Sequence, residues 1–123
     1  MKTIGIIAII AALIYISYRT YRSINLDKGL DKVVANGAVI LDVRTQREYI
    51  TGNIPGSLNI PLSKLHADSL PLDRSKVYIT VCSHGLRSVK AAGLLKEKGY
   101  KVYNGGAWND LADELKKPGI IEQ

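Results

Sequence analysis

The sequence contains a single cysteine, Cys82, among 123 residues. A lone cysteine has no partner for an internal disulfide, so the fold does not depend on an oxidising compartment. Histidine is also scarce, with two residues in the whole chain. Two histidines and one cysteine do not supply the ligands of a structural metal site, so we expect neither a metal nor a cofactor.

The basic residues lack the clustering that nucleic-acid binding requires. Lysine and arginine number 17 against 11 acidic residues, giving a formal net charge of +6. These charges are scattered, and no interleaved aromatic residues make a stacking surface for bases. We therefore expect no nucleic-acid partner and attribute the charge to a solvated surface beside an anionic membrane. Internal repeats and low-complexity segments are also missing, and the length suits one α/β domain.

The one long uncharged run is Thr3–Tyr18, sixteen residues flanked by Lys2 and Arg19. At 1.5 Å per residue a helix over it covers about 24 Å, which is short but workable for a bilayer core of about 30 Å. Tyrosines near its carboxyl end suit the headgroup region. The run predicts a transmembrane anchor over residues 1–22, with the lipid bilayer as partner through residues 3–18 and the remaining domain over 23–123.

A cleaved signal peptide is the alternative to an anchor, since it shares the charged start and the apolar middle. The residues after the run contain no small-x-small cleavage site, which favours an uncleaved anchor. More positive charges follow the run than precede it, so we expect a single-pass membrane protein with a cytoplasmic domain. An exported, periplasmic location through a signal peptide is the alternative.

Apolar β-branched runs alternate with helical patterns through the rest of the chain. The predicted strands are 38–43, 76–82 and 100–104, with a further short strand within 56–62. The predicted helices occupy 26–36, 45–52, 87–99 and 107–117. This alternation predicts an α/β fold with a mostly parallel central sheet covered by helices on both faces.

Cys82 stands at the carboxyl end of a predicted buried strand, where open α/β sheets place their ligand sites. The following loop runs into a helix, so its N–H groups and the helix dipole favour a thiolate. Gly85 permits an unusual φ angle, Arg87 adds positive charge, and Ser88 is suited to cap the helix. A buried structural cysteine is the plainer alternative. The strand-end position, the glycine and the arginine favour a functional role.

These residues resemble the active loop of the rhodanese-like sulfurtransferases, which has the form C-x-x-G-x-R-[SA]. Cys82, Gly85, Arg87 and Ser88 occupy its four fixed places. A second signature of that family, D-V-R-x-x-x-E-[YF]-x-x-G-H-I-x-G-A-x-N-[IL]-P, resembles residues 42–61.

Two departures appear in the second signature, since Asn53 replaces its histidine and Ser57 its alanine. A third family feature, the sequence GGAW after a strand of the form Gly-aromatic-x-Val, is similar to residues 105–108 after GYKVY. The resemblance covers roughly residues 25–117. It implies a rhodanese-like fold and an enzyme of the thiosulfate sulfurtransferase type.

The resemblance implies that Cys82 takes sulfane sulfur from an anionic donor such as thiosulfate, forming a persulfide that a thiol or cyanide acceptor removes. In this fold Asp42 and Arg44 support the loop by hydrogen bonds. Separately, Glu48 sits four residues after Arg44, and this spacing predicts a helical ion pair between them. The implied substrate-binding residues are those of the loop, Ser83, His84, Gly85, Leu86, Arg87 and Ser88.

Two other functions share parts of this pattern. Cysteine-dependent phosphatases and arsenate reductases also hold a thiolate at a helix N-terminus, but their loop has the form C-x5-R. Four residues separate Cys82 from Arg87 here, and the smaller loop favours sulfur. A non-catalytic membrane-tethered binding module is the other alternative, which the retained cysteine disfavours.

Overall fold

The structure is a computed structural model that describes residues 1–116. Its ten elements alternate between helices and strands along most of the chain. The helices are α1 Lys2–Asn25, α2 Leu30–Ala35, α3 Gln46–Thr51, α4 Leu86–Glu97 and α5 Trp108–Leu115, with a 3-10 helix at Leu62–His66. The strands are β1 Val39–Asp42, β2 Leu58–Asn59, β3 Val77–Cys82 and β4 Lys101–Ala107.

The strands form one four-stranded sheet in the order β2-β1-β3-β4, and every neighbouring pair is parallel. The prediction of a mostly parallel sheet is confirmed. β1 and β3 lie in the middle, which explains why their sequences are nearly continuous apolar runs. The carboxyl ends of these two central strands, at Asp42 and Cys82, therefore lie at one edge of the sheet.

Helices cover both faces of the sheet, as predicted. Side chains along a strand alternate between the two faces, so each face has its own buried cluster. Ile79 and Val81 of β3 pack with Leu111 and Leu115 of α5 in one buried cluster. The second cluster, on the opposite face, includes Cys82 with three residues of α4, namely Ala91, Ala92 and Leu95. The thiol-bearing residue is thus part of a packed core, and α4 lies against it.

β4 is longer than the predicted 100–104, since it runs on through two glycines to Ala107. Its register shifts at Thr80 and Val81 of β3, which pair with Asn104 and Gly106, so Gly105 is the extra residue of a bulge. A β-carbon on Gly105 would lie 2.7 Å from Cγ2 of Ile79 and 2.9 Å from the Thr80 carbonyl oxygen. The glycine therefore permits the close approach of β4 to β3.

α1 has no residue buried against the rest of the described chain. Within residues 1–116 one helix, at the N-terminus, is long and apolar enough to cross a membrane by length and composition; signal sequences share these properties. α1 ends at Asn25, and the following segment is tied to β4. Asn104 donates its side-chain amide to the Asn25 carbonyl at 2.6 Å and its backbone N–H to Asp27 at 2.7 Å.

Candidate active site

The sulfur atom of Cys82 accepts hydrogen bonds from the loop that follows it. The N–H of Gly85 donates to Sγ at 2.9 Å and the N–H of Ser88 at 3.4 Å. Cys82 is 1% exposed, so this sulfur is largely removed from solvent. N–H donors aimed at one atom stabilise negative charge there, as the amides of an anion-binding loop do.

Gly85 makes this loop geometry possible. Its φ of +94° lies in the left-handed region, which confirms the expectation that the turn needs a glycine. Gly85 also occupies the cap position before α4, so the expectation that Ser88 caps the helix is wrong. Ser88 lies inside the first turn, where its hydroxyl donates to the Gly85 carbonyl oxygen at 2.9 Å. That bond holds the loop closed while the Ser88 N–H points at the sulfur.

Arg87 is held by Glu48 of α3. Its Nη1 and Nη2 atoms donate to the two carboxylate oxygens of Glu48 at 2.8 and 2.9 Å. The hydroxyl of Ser83, one residue after the cysteine, donates to the same carboxylate at 2.8 Å. Parallel bonds of this kind between arginine and carboxylate are strong and geometrically specific. Glu48 therefore connects α3 to both ends of the cysteine loop.

The predicted ion pair between Glu48 and Arg44 is wrong. Arg44 turns back to the sheet edge, where Nη2 lies 2.7 Å from Oδ2 of Asp42 and Nε donates to both carboxylate oxygens. Its other bonds go to the backbone carbonyls of Glu48 and Gly52 at 3.3 and 2.6 Å. Helical spacing could not reveal this, because Arg44 precedes α3 rather than lying on it.

Asp42 and Arg44 support the loop indirectly. Their side chains position α3, and Glu48 of α3 then bonds to Ser83 and Arg87. The start of α3 is fixed by a capping box, in which Thr45 and Glu48 exchange side-chain and backbone bonds. The backbone N–H of Val43 also donates to the Val81 carbonyl at 2.9 Å. The support that Asp42 and Arg44 give to the cysteine loop therefore acts through α3.

The contact between Glu48 and Arg87 changes the protonation preferences of both groups. The hydrogen bond from Arg87 lowers the pKa of Glu48 far below its ordinary value, with further lowering by Ser83 and Thr45. The same hydrogen bond raises the pKa of Arg87, assisted by the negative charges of Glu48, Cys82 and Asp42. Both groups are therefore charged at neutral pH, as an ion pair requires.

Of the six predicted loop residues, Gly85 and Ser88 donate to the sulfur, and Ser83 and Arg87 bind Glu48. His84 is exposed and Leu86 is 44% exposed, so both lie on the rim. Gly85 and Ser88 are buried, while Ser83 and Arg87 are partly buried. Glu48 is the site residue that the sequence reasoning missed. Its fixed place in the second signature was the available signal. The four-residue spacing pairs Glu48 with Arg44, whereas the structure pairs it with Arg87.

A cysteine at the end of a central parallel strand, followed by a loop of converging amides, places this chain among thiol-bearing α/β proteins. The family model of the Rhodanese-like domain matches residues 25–110. The chain belongs to the rhodanese-like family.

Curated relatives and solved structures agree with this family. The chain is 30% identical over 94 residues to the tRNA sulfurtransferase of Thermoplasma acidophilum, covering 76% of this chain and 18% of that protein. It is 33% identical over 85 residues to the thiosulfate sulfurtransferase GlpE of Coxiella burnetii, covering 68% of this chain and 79% of that one. The human single-domain sulfurtransferase TSTD1 has a TM-score of 0.58 at 27% identity, covering 72% and 92%.

Proposed function

We propose that the chain is a sulfurtransferase in which Cys82 carries a sulfane sulfur atom between a donor and a thiol acceptor. The observation that supports this most directly is the pair of N–H groups, from Gly85 and Ser88, that donate to Sγ. They stabilise negative charge on the attacking thiolate and on the persulfide that follows. Because the loop amides converge, they also suit the oxygens of a donor such as thiosulfate.

In the first half-reaction the Cys82 thiolate attacks the outer sulfur of thiosulfate. A new S–S bond forms at Sγ, the S–S bond of thiosulfate breaks, and sulfite leaves with the bonding electron pair. In the second half-reaction an acceptor thiolate, or cyanide, attacks the terminal sulfur of the persulfide and releases the Cys82 thiolate. This is a two-step mechanism with a covalent intermediate.

The mass of the intact protein tests the proposal. The full chain in detergent is incubated with thiosulfate or a hydropersulfide and then analysed by mass spectrometry. We expect a gain of about 32 Da, one sulfur atom, that dithiothreitol reverses and that Cys82→Ser lacks. No gain with either donor contradicts the proposal. In that case hydrolysis of an aryl phosphate by the wild type but not the variant would indicate a phosphatase, and neither activity would indicate a binding module.

We also propose that α1 anchors the protein in a membrane with the sulfurtransferase domain on the cytoplasmic side. The exposure of its apolar residues supports this, as does the position of two arginines at its carboxyl end. Arg19 lies over the ring of Tyr15 at 5.9 Å and Arg22 over that of Tyr18 at 5.5 Å. Such pairs suit the headgroup region, where aromatic rings and basic side chains meet.

Fractionation of cells that produce the full chain tests the anchor. We expect the protein to remain in membranes after alkaline carbonate extraction and to have the mass of the uncleaved chain. A tag at the carboxyl terminus should be digested by protease only after the cytoplasmic membrane is permeabilised. A shorter, soluble product would instead show that residues 1–22 are a cleaved signal.

A further inference from the structure

The two terminal nitrogens of the Arg87 guanidinium group are already hydrogen-bonded within the protein. Nη1 and Nη2 donate to the two oxygens of Glu48, and Nη2 also donates to Ser83 at 3.2 Å. A two-nitrogen contact from these atoms to a sulfonate or phosphate would use the same donors. A dianionic donor such as thiosulfate therefore competes with Glu48 for Arg87.

The second arginine beside the loop is also paired with a carboxylate. Nε of Arg22, from the end of α1, would lie 3.2 Å from a β-carbon on Gly85. Its Nη2 atom lies 3.9 Å from Oδ2 of Asp110 in α5. Each of the two arginines that approach the cysteine loop thus has a carboxylate nearby, at 2.8 Å for Arg87 and at 3.9 Å for Arg22, whose partner Asp110 is 76% exposed.

We propose that Glu48 determines the charge of the donors that this site accepts, disfavouring dianions such as thiosulfate and favouring hydropersulfides of low net charge. This inference rests on the proposed function and names its substrate class. Glu48 acts by holding Arg87 and by placing a negative charge beside Ser83, the neighbour of the attacking sulfur. Thiosulfate remains a donor, but it must either displace the Glu48 carboxylate from Arg87 or bind against its repulsion.

A neutral donor avoids this repulsion. With a hydropersulfide RS–SH the Cys82 thiolate attacks the outer sulfur, and a new S–S bond forms as the RS–S bond breaks. The leaving RS⁻ takes the proton of the outer sulfur, so the products are the Cys82 persulfide anion and RSH. Atoms, charge and electron pairs balance without an external oxidant or reductant.

The test compares two donors in wild type and in Glu48→Gln, using the full chain in detergent and initial rates of the gain in mass. One donor is thiosulfate and the other is cysteamine hydropersulfide, whose ammonium group gives it little net negative charge. We expect the ratio of the thiosulfate rate to the hydropersulfide rate to rise about tenfold in the variant, since tenfold corresponds to about 1.4 kcal/mol of lost repulsion. Glutamine preserves the capping box, so α3 should remain folded.

Two further variants separate charge from structure. Glu97→Gln removes one carboxylate from the exposed end of α4, and its donor ratio should match that of wild type. Glu48→Asp keeps a carboxylate beside Arg87, and its ratio should stay closer to wild type than to Glu48→Gln. Thermal melting checks that each variant is folded.

Two outcomes overturn the inference. An unchanged or lower ratio in folded Glu48→Gln shows that the carboxylate does not select against dianions. An equal rise in Glu48→Asp shows that loss of geometry, not of charge, is the cause. In both cases wild type still forms a persulfide. If neither donor labels wild-type Cys82, the proposed function fails and the inference fails with it.

Discussion

Arg44 and Asp42 form a buried ion pair at the edge of the sheet, with Nη2 2.7 Å from Oδ2 and side chains that are 4% and 1% exposed. The guanidinium lies over the ring of Trp108 at 4.7 Å and donates to the carbonyls of Glu48 within α3 and of Gly52 just after it. A buried pair of this kind is tolerated because its hydrogen bonds are satisfied. It fixes the helix from which Glu48 reaches the cysteine loop.

Replacement of Asp42 by asparagine should destabilise the protein strongly. Asparagine leaves the Arg44 charge buried without a counter-charge, and loss of one partner of a buried pair typically costs about 3–5 kcal/mol. Urea unfolding followed by the fluorescence of Trp108 measures the change. Asp113→Asn, at an exposed position of α5, is the control and should change stability by about 0.5 kcal/mol or less. Equal, small effects of both substitutions would show that the pair does not hold the sheet edge.

Replacement of Gly85 by alanine should affect both stability and sulfur transfer. A β-carbon at a φ of +94° is strained, and it would lie 3.2 Å from Nε of Arg22. We expect a loss of about 1–3 kcal/mol and slower persulfide formation, because relief of the strain moves the N–H away from Sγ. Denaturant titration and the rate of the gain in mass measure the two effects.

Gly93 provides a matched control for Gly85, since it lies in α4 with nothing within 4 Å of an added β-carbon. Gly93→Ala should stabilise the protein by about 0.5–1 kcal/mol through helix propensity and leave the rate of persulfide formation unchanged. If Gly85→Ala were as stable as wild type, the strain assigned to this position of the loop would be contradicted.

The acid stability of the protein should depend on Glu48. Its pKa is lowered in the fold by Arg87, so its carboxylate stabilises the native state fully above the ordinary carboxyl pKa of 4.5. This contribution declines as pH falls below that value towards the lowered pKa of the folded state. The pair is about a third exposed, at 35% for each side chain, so screening keeps its contribution near 1 kcal/mol or less.

The measurement is denaturant unfolding of wild type and Glu48→Gln between neutral and acidic pH. The advantage of wild type should be constant near neutrality and should shrink as the pH falls below the ordinary carboxyl range. Glu97→Gln is the control, and its difference from wild type should not follow this course. An advantage that grows in acid would contradict the assigned pairing.

The sequence predicts the central strands well, because β1 and β3 are buried on both faces and therefore read as continuous apolar runs. It also predicts the position of Cys82 and the need for Gly85, because both residues lie where a strand turns directly into a helix. The buried face of α4 includes Ala91, Ala92 and Leu95 together with the polar Ser88, which an apolar pattern does not indicate.

The partner of Glu48 could not be derived from local spacing. Arg87 lies 39 residues away along the chain, and only the parallel sheet brings α3 and the cysteine loop to the same edge. The extension of β4 was missed for a similar reason. Two adjacent glycines usually indicate a turn, yet here both lie within β4, and Gly105 is a bulge residue that only the pairing with β3 reveals.

Transfer of sulfur to Cys82 can be observed in the mass of the intact protein. Intact full-length protein is incubated separately with thiosulfate and with cysteamine hydropersulfide, alongside Cys82→Ser. We expect a gain of about 32 Da in wild type with each donor, reversed by dithiothreitol and missing from the variant. An unchanged wild-type mass with both donors, or the same gain in Cys82→Ser, would contradict the assignment of Cys82 as the sulfur acceptor.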